Sequence, residues 1–152
     1  MKVEARLKEL GIEIPEVAKP VAAYVPAVLA GKWVYISGQL PFKQGKLERT
    51  GKVGREVTLE EAQADAATCA VNCIAALRSV AGDLDNVERI VKVTGFVASA
   101  PGFNDQPKVV NGASELLGKA FGEAGLHARA AVGVAELPLN ACVEVELIAL
   151  LK

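Results

Sequence analysis

The residue best suited to do chemistry in this sequence is Arg129, because of the small residues that follow it. Arg129 opens a strand-like run through Val134, and the two-residue period of a strand puts Arg129, Ala131 and Gly133 on one face. A guanidinium beside two positions with almost no side chain leaves room for a ligand, and it can donate two parallel hydrogen bonds to a carboxylate. The pattern predicts a small-carboxylate site. An edge-strand arginine in a surface ion pair fits the same spacing at least as well.

The spacing of cysteines and glycines in the sequence gives little support for a metal or nucleotide site. Cys69 and Cys73 lie four residues apart on a predicted helix, Cys142 is distant in sequence, and the chain has one histidine. This does not have the spacing of a Cys/His zinc site, so we interpret the cysteines as buried reduced thiols and expect no metal or cofactor. The glycines of segment 43–55 follow neither the dinucleotide fingerprint nor the phosphate-loop pattern. We predict a surface loop there.

Other polar residues are less distinctive on their own. The single histidine, His127, has no triad partner at a recognisable spacing and is interpreted as a loop residue. Tyr24 and Ser37 fall on the first predicted strand pair, where a surface tyrosine and a serine at a strand end are common. Asn111 lies on the second predicted helix, opposite its apolar stripe. It is expected either to be solvated or to face a partner subunit.

Length and composition restrict the class of protein. The chain has 152 residues, 51% of them hydrophobic and 23% charged, which predicts one folded domain over residues 1–152. A net charge of −1 and 5% aromatic residues disfavour a nucleic-acid-binding surface. No apolar run approaches the roughly 20 residues that cross a bilayer, and the first residues do not have a signal-peptide pattern. These features predict a cytoplasmic protein that is not inserted in a membrane.

The elements that position these residues follow from periodicity and caps. Thr58 and Glu61 form a capping-box pattern before a helix that ends at Gly82, and Asn104 or Asp105 precedes a second helix with Pro107 in its first turn. The other elements are a helix at 2–10 and strands at 21–30, 32–38, 89–98, from Arg129, and from Val143. The order β-β-α-β-α-β-β, with hairpins at both ends, predicts an α+β fold.

Each of the two main helices carries a single apolar stripe, so both are predicted to cover one face of one mixed sheet. The opposite face would carry several apolar side chains, namely Trp33, Tyr35, Cys142, Ile148 and Leu150. Such a face is too apolar to remain in water, and we expect self-association to bury at least part of it.

Several motifs together resemble the RidA/YjgF-like family of reactive-intermediate (imine/enamine) deaminases, also labelled endoribonuclease L-PSP. They are Tyr24 after a proline-containing leader, Ile36-Ser37-Gly38-Gln39-Leu40-Pro41, Val110-Asn111, Arg129 followed by Leu137-Pro138, and Val143-Glu144-Val145-Glu146. The resemblance covers most of the chain. It implies a chorismate-mutase-like fold and a homotrimer with ligand clefts between adjacent subunits.

The resemblance also implies roles for individual residues. Arg129 would hold the substrate carboxylate, and Tyr24, Ser37, Asn111 and Glu144 would line or support the pocket. The implied reaction is hydrolysis of a 2-imino or enamine acid to a 2-keto acid and ammonia, in which Arg129 orients the substrate and Glu144 orients the water or moves its proton.

This chain departs from the deaminase pattern close to the arginine. Ala131 stands where those proteins have cysteine, and Gly133 stands where they have glutamate. Ala131 would therefore line a smaller pocket, and the chain is expected to be a distinct branch of the family. An alternative is a trimer that binds small carboxylates or other metabolites without turnover. A ribonuclease, the third possibility, is disfavoured by the net charge.

Overall fold

A computed structural model of the protein describes residues 2–17 and 23–152. Within them the chain forms three α-helices and seven β-strands, with short 3₁₀ segments between some of them. The helices are α1 (Lys2–Glu9), α2 (Leu59–Ala81) and α3 (Gln106–Phe121). The strands are β1 (Ala27–Ala30), β2 (Trp33–Gln39), β3 (Phe42–Lys43), β4 (Lys46–Leu47), β5 (Val87–Ala98), β6 (Ala128–Val134) and β7 (Val143–Leu151). The α+β class is confirmed.

Five strands form one mixed sheet in the order β1-β2-β7-β5-β6. Helix α3 connects β5 to β6, which pair in parallel, and the other pairs are antiparallel. The predicted hairpin at the C-terminal end is therefore wrong, because β5 lies between β6 and β7. Strand β7 instead pairs with β2 on one side and with β5 on the other, so the backbone groups of both of its edges have strand partners. Strand β6, which carries Arg129, is thus an edge strand.

The main helices begin as the sequence predicts. The Thr58 hydroxyl accepts from the Glu61 amide at 3.1 Å, and the Glu61 carboxylate accepts from the Thr58 amide at 2.9 Å, so the capping box is present. Asp105 is the N-cap residue of α3 by position, although its side chain makes no capping hydrogen bond. Both helices pack on one face of the sheet, above buried strand residues that include Val34, Ile36, Ile90, Val93, Val97, Val145 and Leu147.

Two predicted segments differ in detail. Strand β1 begins at Ala27, since Pro26 has no amide hydrogen to donate to a ladder. Residues 21 and 22 of the predicted strand lie outside the described residues. Segment 43–55 is only partly a loop. Lys43 and Lys46 belong to a small hairpin whose turn, Gln44-Gly45, has φ values of 52° and 77°. Such positive φ values are typical of tight hairpin turns.

The face of the sheet away from the helices is open in this single chain, and we call it the open sheet face. Its apolar side chains are Trp33, Tyr35, Phe96, Val132, Ile148 and Leu150, and Thr94, Glu144 and Glu146 lie on the same face. Trp33 is 42% exposed and Tyr35 is 49% exposed. Cys142 does not belong to it, contrary to the prediction, because β7 begins only at Val143 and its alternation does not extend back to the cysteine. Cys142 is buried, and its thiol donates to Asp65 Oδ2 at 3.2 Å.

No helix in the described residues is long and apolar enough to span a bilayer. The same part of the chain contains no group of three or more His, Cys, Asp or Glu side chains placed to hold a metal ion.

Candidate carboxylate-binding site

Arg129 is held in position by helix α3. Its Nη1 donates to Asn111 Oδ1 at 2.7 Å and to Ser114 Oγ at 3.2 Å, and its Nη2 donates to the Pro107 carbonyl at 3.3 Å. The three acceptors are an amide, a hydroxyl and a backbone carbonyl, all of them neutral. Asn111 is therefore not simply solvated, because it is a direct partner of the arginine within the same chain.

The positive charge of Arg129 has no acidic partner in the described part of the chain, where no carboxylate lies within ion-pair distance of it. A surface ion pair, the alternative interpretation of this arginine, is not observed. A guanidinium has five N–H donors, and three of them are used by α3. The Nε–H and one Nη2–H remain, and two such donors can form a bidentate pair with a carboxylate.

His127 and Ser114 extend the contacts of Arg129. His127 Nδ1 lies 2.6 Å from the Gly125 carbonyl oxygen, and its Nε2 lies 2.9 Å from Ser114 Oγ. A carbonyl oxygen can only accept, so Nδ1 carries the proton and, in the neutral ring, Nε2 accepts from the Ser114 hydroxyl. His127 lies in the connection before β6, as predicted, but both of its nitrogens have partners.

Sequence reasoning did not single out Ser114, although a signal was available. It lies three residues after Asn111, so the two share one face of α3. His127 lies two residues before Arg129, which places it on the same side of an extended chain. These two spacings, taken together, connect the histidine to the arginine.

The space predicted beside Arg129 is partly filled. A side chain at Gly133 would meet Gln106 Nε2 at 2.8 Å and Ser99 Oγ at 3.0 Å. Gln106 is fixed there because its amide donates to Ser99 Oγ at 3.1 Å and to the Phe103 carbonyl at 2.8 Å. Ala131 packs against the core. The free space therefore lies at the open edge of β6, and not above Gly133.

Glu144 is the second residue of β7, and its carboxyl group lies over Gly38. A Cβ atom at Gly38 would be only 2.1 Å from Glu144 Oε2. The carboxyl group is half-buried, and burial, followed by the charge of the nearby Glu146, raises its pKa. A raised pKa suits a group that must both take up and release a proton.

Ser37 precedes Gly38, the residue beneath the Glu144 carboxylate, and binds the segment that follows Tyr24. The Ser37 hydroxyl donates to the Val25 carbonyl at 2.6 Å, and the Ser37 amide donates to the Pro26 carbonyl at 2.9 Å. These bonds fix the residues after Tyr24 against β2, and the Tyr24 side chain remains 50% exposed.

The predicted site residues, together with Ser114, thus fall into two groups. We call Arg129, Asn111, Ser114 and Ala131 the arginine group, and Tyr24, Ser37 and Glu144 the glutamate group. Arg129 is level with the buried, helix-facing Val93 and Leu147, whereas Glu144 is level with Phe96 and Val132 on the open sheet face. One chain therefore presents the two groups on opposite faces of its sheet.

The fold and this arginine define a class of small α+β proteins in which two helices cover one face of a mixed sheet and the other face is open. The sequence matches the family described as "YjgF/chorismate_mutase-like, putative endoribonuclease" over residues 4–151. The chain belongs to this YjgF/chorismate-mutase-like family.

Individual relatives agree with this assignment. The chain is similar to the protein Atu1372 of Agrobacterium tumefaciens, whose crystal structure is described as of unknown function, with 48% identity, a TM-score of 0.92, and coverage of 99% of this chain and 92% of that one. It is 45% identical to protein TCP17 of Trypanosoma cruzi, covering 95% of this chain and 91% of that protein. It is 33% identical to a 2-iminobutanoate/2-iminopropanoate deaminase of Dermatophagoides farinae, covering 93% and 95%.

Proposed function

We propose that the protein is a deaminase that hydrolyses small 2-imino acids to 2-keto acids and ammonia, and that Arg129 binds the substrate carboxylate. The observation that carries this proposal is the state of Arg129: three of its donors are fixed by neutral acceptors, two remain, and no described carboxylate neutralises it. A cation that is held in place but uncompensated is suited to an anionic ligand. The 33% identity to a deaminase of 2-iminobutanoate and 2-iminopropanoate supports this class of substrate.

We also propose that the complete site is a cleft between two subunits of a homotrimer. Arg129 and Glu144 lie on opposite faces of the sheet, so one chain cannot bring them to the same ligand. A second copy packed against the edge of β6 could supply its own glutamate group to the arginine group of the first. The open sheet face supports such an assembly because half-exposed Trp33 and Tyr35 side chains favour burial.

In this cleft Arg129 would fix the substrate carboxylate and so hold C2 of the imine at a set position. The substrate would react as its iminium ion, with nitrogen already protonated. The partner subunit's Glu144 would accept a proton from water as the water oxygen bonds to C2 and the C=N π pair moves to nitrogen. The same carboxyl group would then protonate the amine of the tetrahedral carbinolamine. The C2–N bond breaks, ammonia leaves with the bonding pair, and the hydroxyl proton passes to the Glu144 carboxylate, which releases it to solvent.

The test is release of ammonia and keto acid from 2-iminopropanoate and 2-iminobutanoate generated in situ by an amino-acid oxidase. Arg129→Ala should lower kcat/KM by about 100-fold or more, because it removes a bidentate charged contact. Arg6→Ala removes an exposed arginine of α1, outside the sheet, and is the matched control. A wild-type trimer that does not accelerate hydrolysis of any tested imine would refute the proposed activity.

Binding without turnover is the second candidate function, and the separation of Arg129 from Glu144 favours it specifically. The arginine group can hold a carboxylate even where the glutamate group is badly placed. Binding of 2-oxobutanoate that is lost in Arg129→Ala, without hydrolysis by the wild-type protein, would support this function. Ribonuclease activity would need RNA cleavage that persists in Arg129→Ala and elutes with the purified trimer.

A further inference from the structure

We propose that Ser114 and His127 are positioning residues that orient Arg129 for its carboxylate ligand through a chain of hydrogen bonds with one fixed direction. This inference rests on the proposed carboxylate site and adds two residues to it. The chain runs from the Gly125 carbonyl through His127 and Ser114 to Arg129, with heavy-atom distances of 2.6, 2.9 and 3.2 Å.

The direction of these hydrogen bonds follows from the first acceptor, the Gly125 carbonyl. The Gly125 carbonyl can only accept, which assigns the ring proton to Nδ1 of His127 and leaves Nε2 with a lone pair. The Ser114 hydroxyl has one hydrogen and gives it to that lone pair. Its oxygen then has its lone pairs available for Arg129 Nη1, which can only donate. Each donor in the chain meets an acceptor, and no other arrangement of the protons of the neutral ring achieves this.

The consequence for Arg129 concerns orientation. Ser114 and Asn111 take both hydrogens of Nη1, so together they fix the plane of the guanidinium and not only its position. Without the Ser114 contact, the group can rotate about its bond to Asn111, and the edge formed by Nε–H and Nη2–H no longer has one direction. His127 acts by keeping the Ser114 hydrogen turned away from Arg129.

The test uses two matched pairs of variants. Ser114→Thr keeps the hydroxyl, and Ser114→Val has the same shape as threonine without it. His127→Gln keeps an acceptor for the Ser114 hydroxyl, and His127→Leu removes it. The affinity for 2-oxobutanoate, measured by calorimetry, should be about tenfold lower for Ser114→Val than for Ser114→Thr, and about fivefold lower for His127→Leu than for His127→Gln. In the deaminase assay the same ratios should appear in KM with little change in kcat, since orientation of the carboxylate acts on binding.

A spectroscopic measurement supports the same test and does not depend on any variant folding. The chain has one histidine, so its ring nitrogens can be assigned directly by NMR. We expect a protonated Nδ1 and an unprotonated Nε2 in the neutral ring, and a change in the Nε2 signal when 2-oxobutanoate binds. A ring protonated on Nε2 in the neutral form would overturn the proposal.

The outcomes separate this inference from the proposed function. Equal affinities within both matched pairs, with binding still lost in Arg129→Ala, would overturn the positioning role and leave the carboxylate site in place. Unchanged binding of 2-oxobutanoate in Arg129→Ala would overturn the site itself. Lower affinity of Ser114→Val than of Ser114→Thr, and of His127→Leu than of His127→Gln, together with the expected tautomer, would support both the positioning role and the carboxylate site.

Discussion

Gly112 is the point of closest approach between α2 and α3, and replacing it by alanine gives a sharp test of how the helices are packed. A Cβ atom at Gly112 would lie 2.1 Å from the backbone oxygen of Gln63 and 2.9 Å from its carbonyl carbon. These atoms belong to the α2 backbone and cannot move by a change of rotamer. The helices would have to separate by roughly 1 Å, which a close-packed interior resists.

The size of the effect follows from two opposing contributions. Alanine is favoured over glycine in a helix by about 1 kcal/mol. Overpacking of a core contact usually costs 1–3 kcal/mol, and a clash with rigid backbone belongs at about 3 kcal/mol. Gly112→Ala should therefore destabilise the protein by about 2 kcal/mol. Gly118 lies on the same helix with nothing within 4 Å of a Cβ atom, so Gly118→Ala should stabilise it by up to about 1 kcal/mol.

The assay is urea denaturation followed by circular dichroism, with both variants and the wild type at one protomer concentration because association shifts apparent stability. The two variants should differ by about 3 kcal/mol, in opposite directions from the wild type. Equal or greater stability of Gly112→Ala relative to Gly118→Ala would show that the helices are not in this close contact. Because α3 also carries Asn111, the destabilised variant should bind 2-oxobutanoate more weakly.

Three further predictions concern single groups. The amides of the first turn of α1 lower the pKa of Asp85 to about 2, so its stabilisation should be complete at neutral pH and lost as pH falls from about 4 towards 2; urea midpoints of wild type and Asp85→Asn should converge over that range. Asn111→Asp would place a carboxylate against Arg129, and calorimetry should show at least a tenfold loss of 2-oxobutanoate affinity. Gly38→Ala should displace the Glu144 carboxylate, lowering kcat while the urea midpoint changes little.

The local elements could be predicted from the sequence because their signals are local. The Thr58 and Glu61 side chains that cap α2 are three residues apart, and the apolar stripes of α2 and α3 lie within single helices. Strand order is different. Whether β7 pairs with β6 or with β5 depends on contacts between distant segments. The residue pattern from Arg129 to Val134 is compatible with either pairing. The C-terminal hairpin was predicted from proximity in sequence, and the parallel crossover through α3 overrides it.

The candidate site, like the fold, could be predicted only where its signals are local in sequence. Spacing identified Arg129 as a cation beside small residues, and the motifs added the other candidate residues. Spacing could not show that Gln106, 27 positions before Gly133, fills the space above that glycine, because only the packing of α3 on β6 brings them together. For the same reason the role of Asn111 was left open between solvent and a partner subunit. The structure shows that its Oδ1 accepts from Arg129 Nη1 at 2.7 Å, a contact across 18 residues of sequence.

The edge position of β6 gives these observations a common physical basis. An arginine on a central strand would be covered by helices on one face and by neighbouring strands on both sides, and it would require a buried counter-charge. At the edge, α3 covers Arg129 from one direction only and provides neutral acceptors, so the charge stays available on the side where the sheet ends. A site of this kind is open until something is packed against that edge. Because Glu144 lies on the open sheet face, the site that we propose takes its missing half from a second copy of the chain.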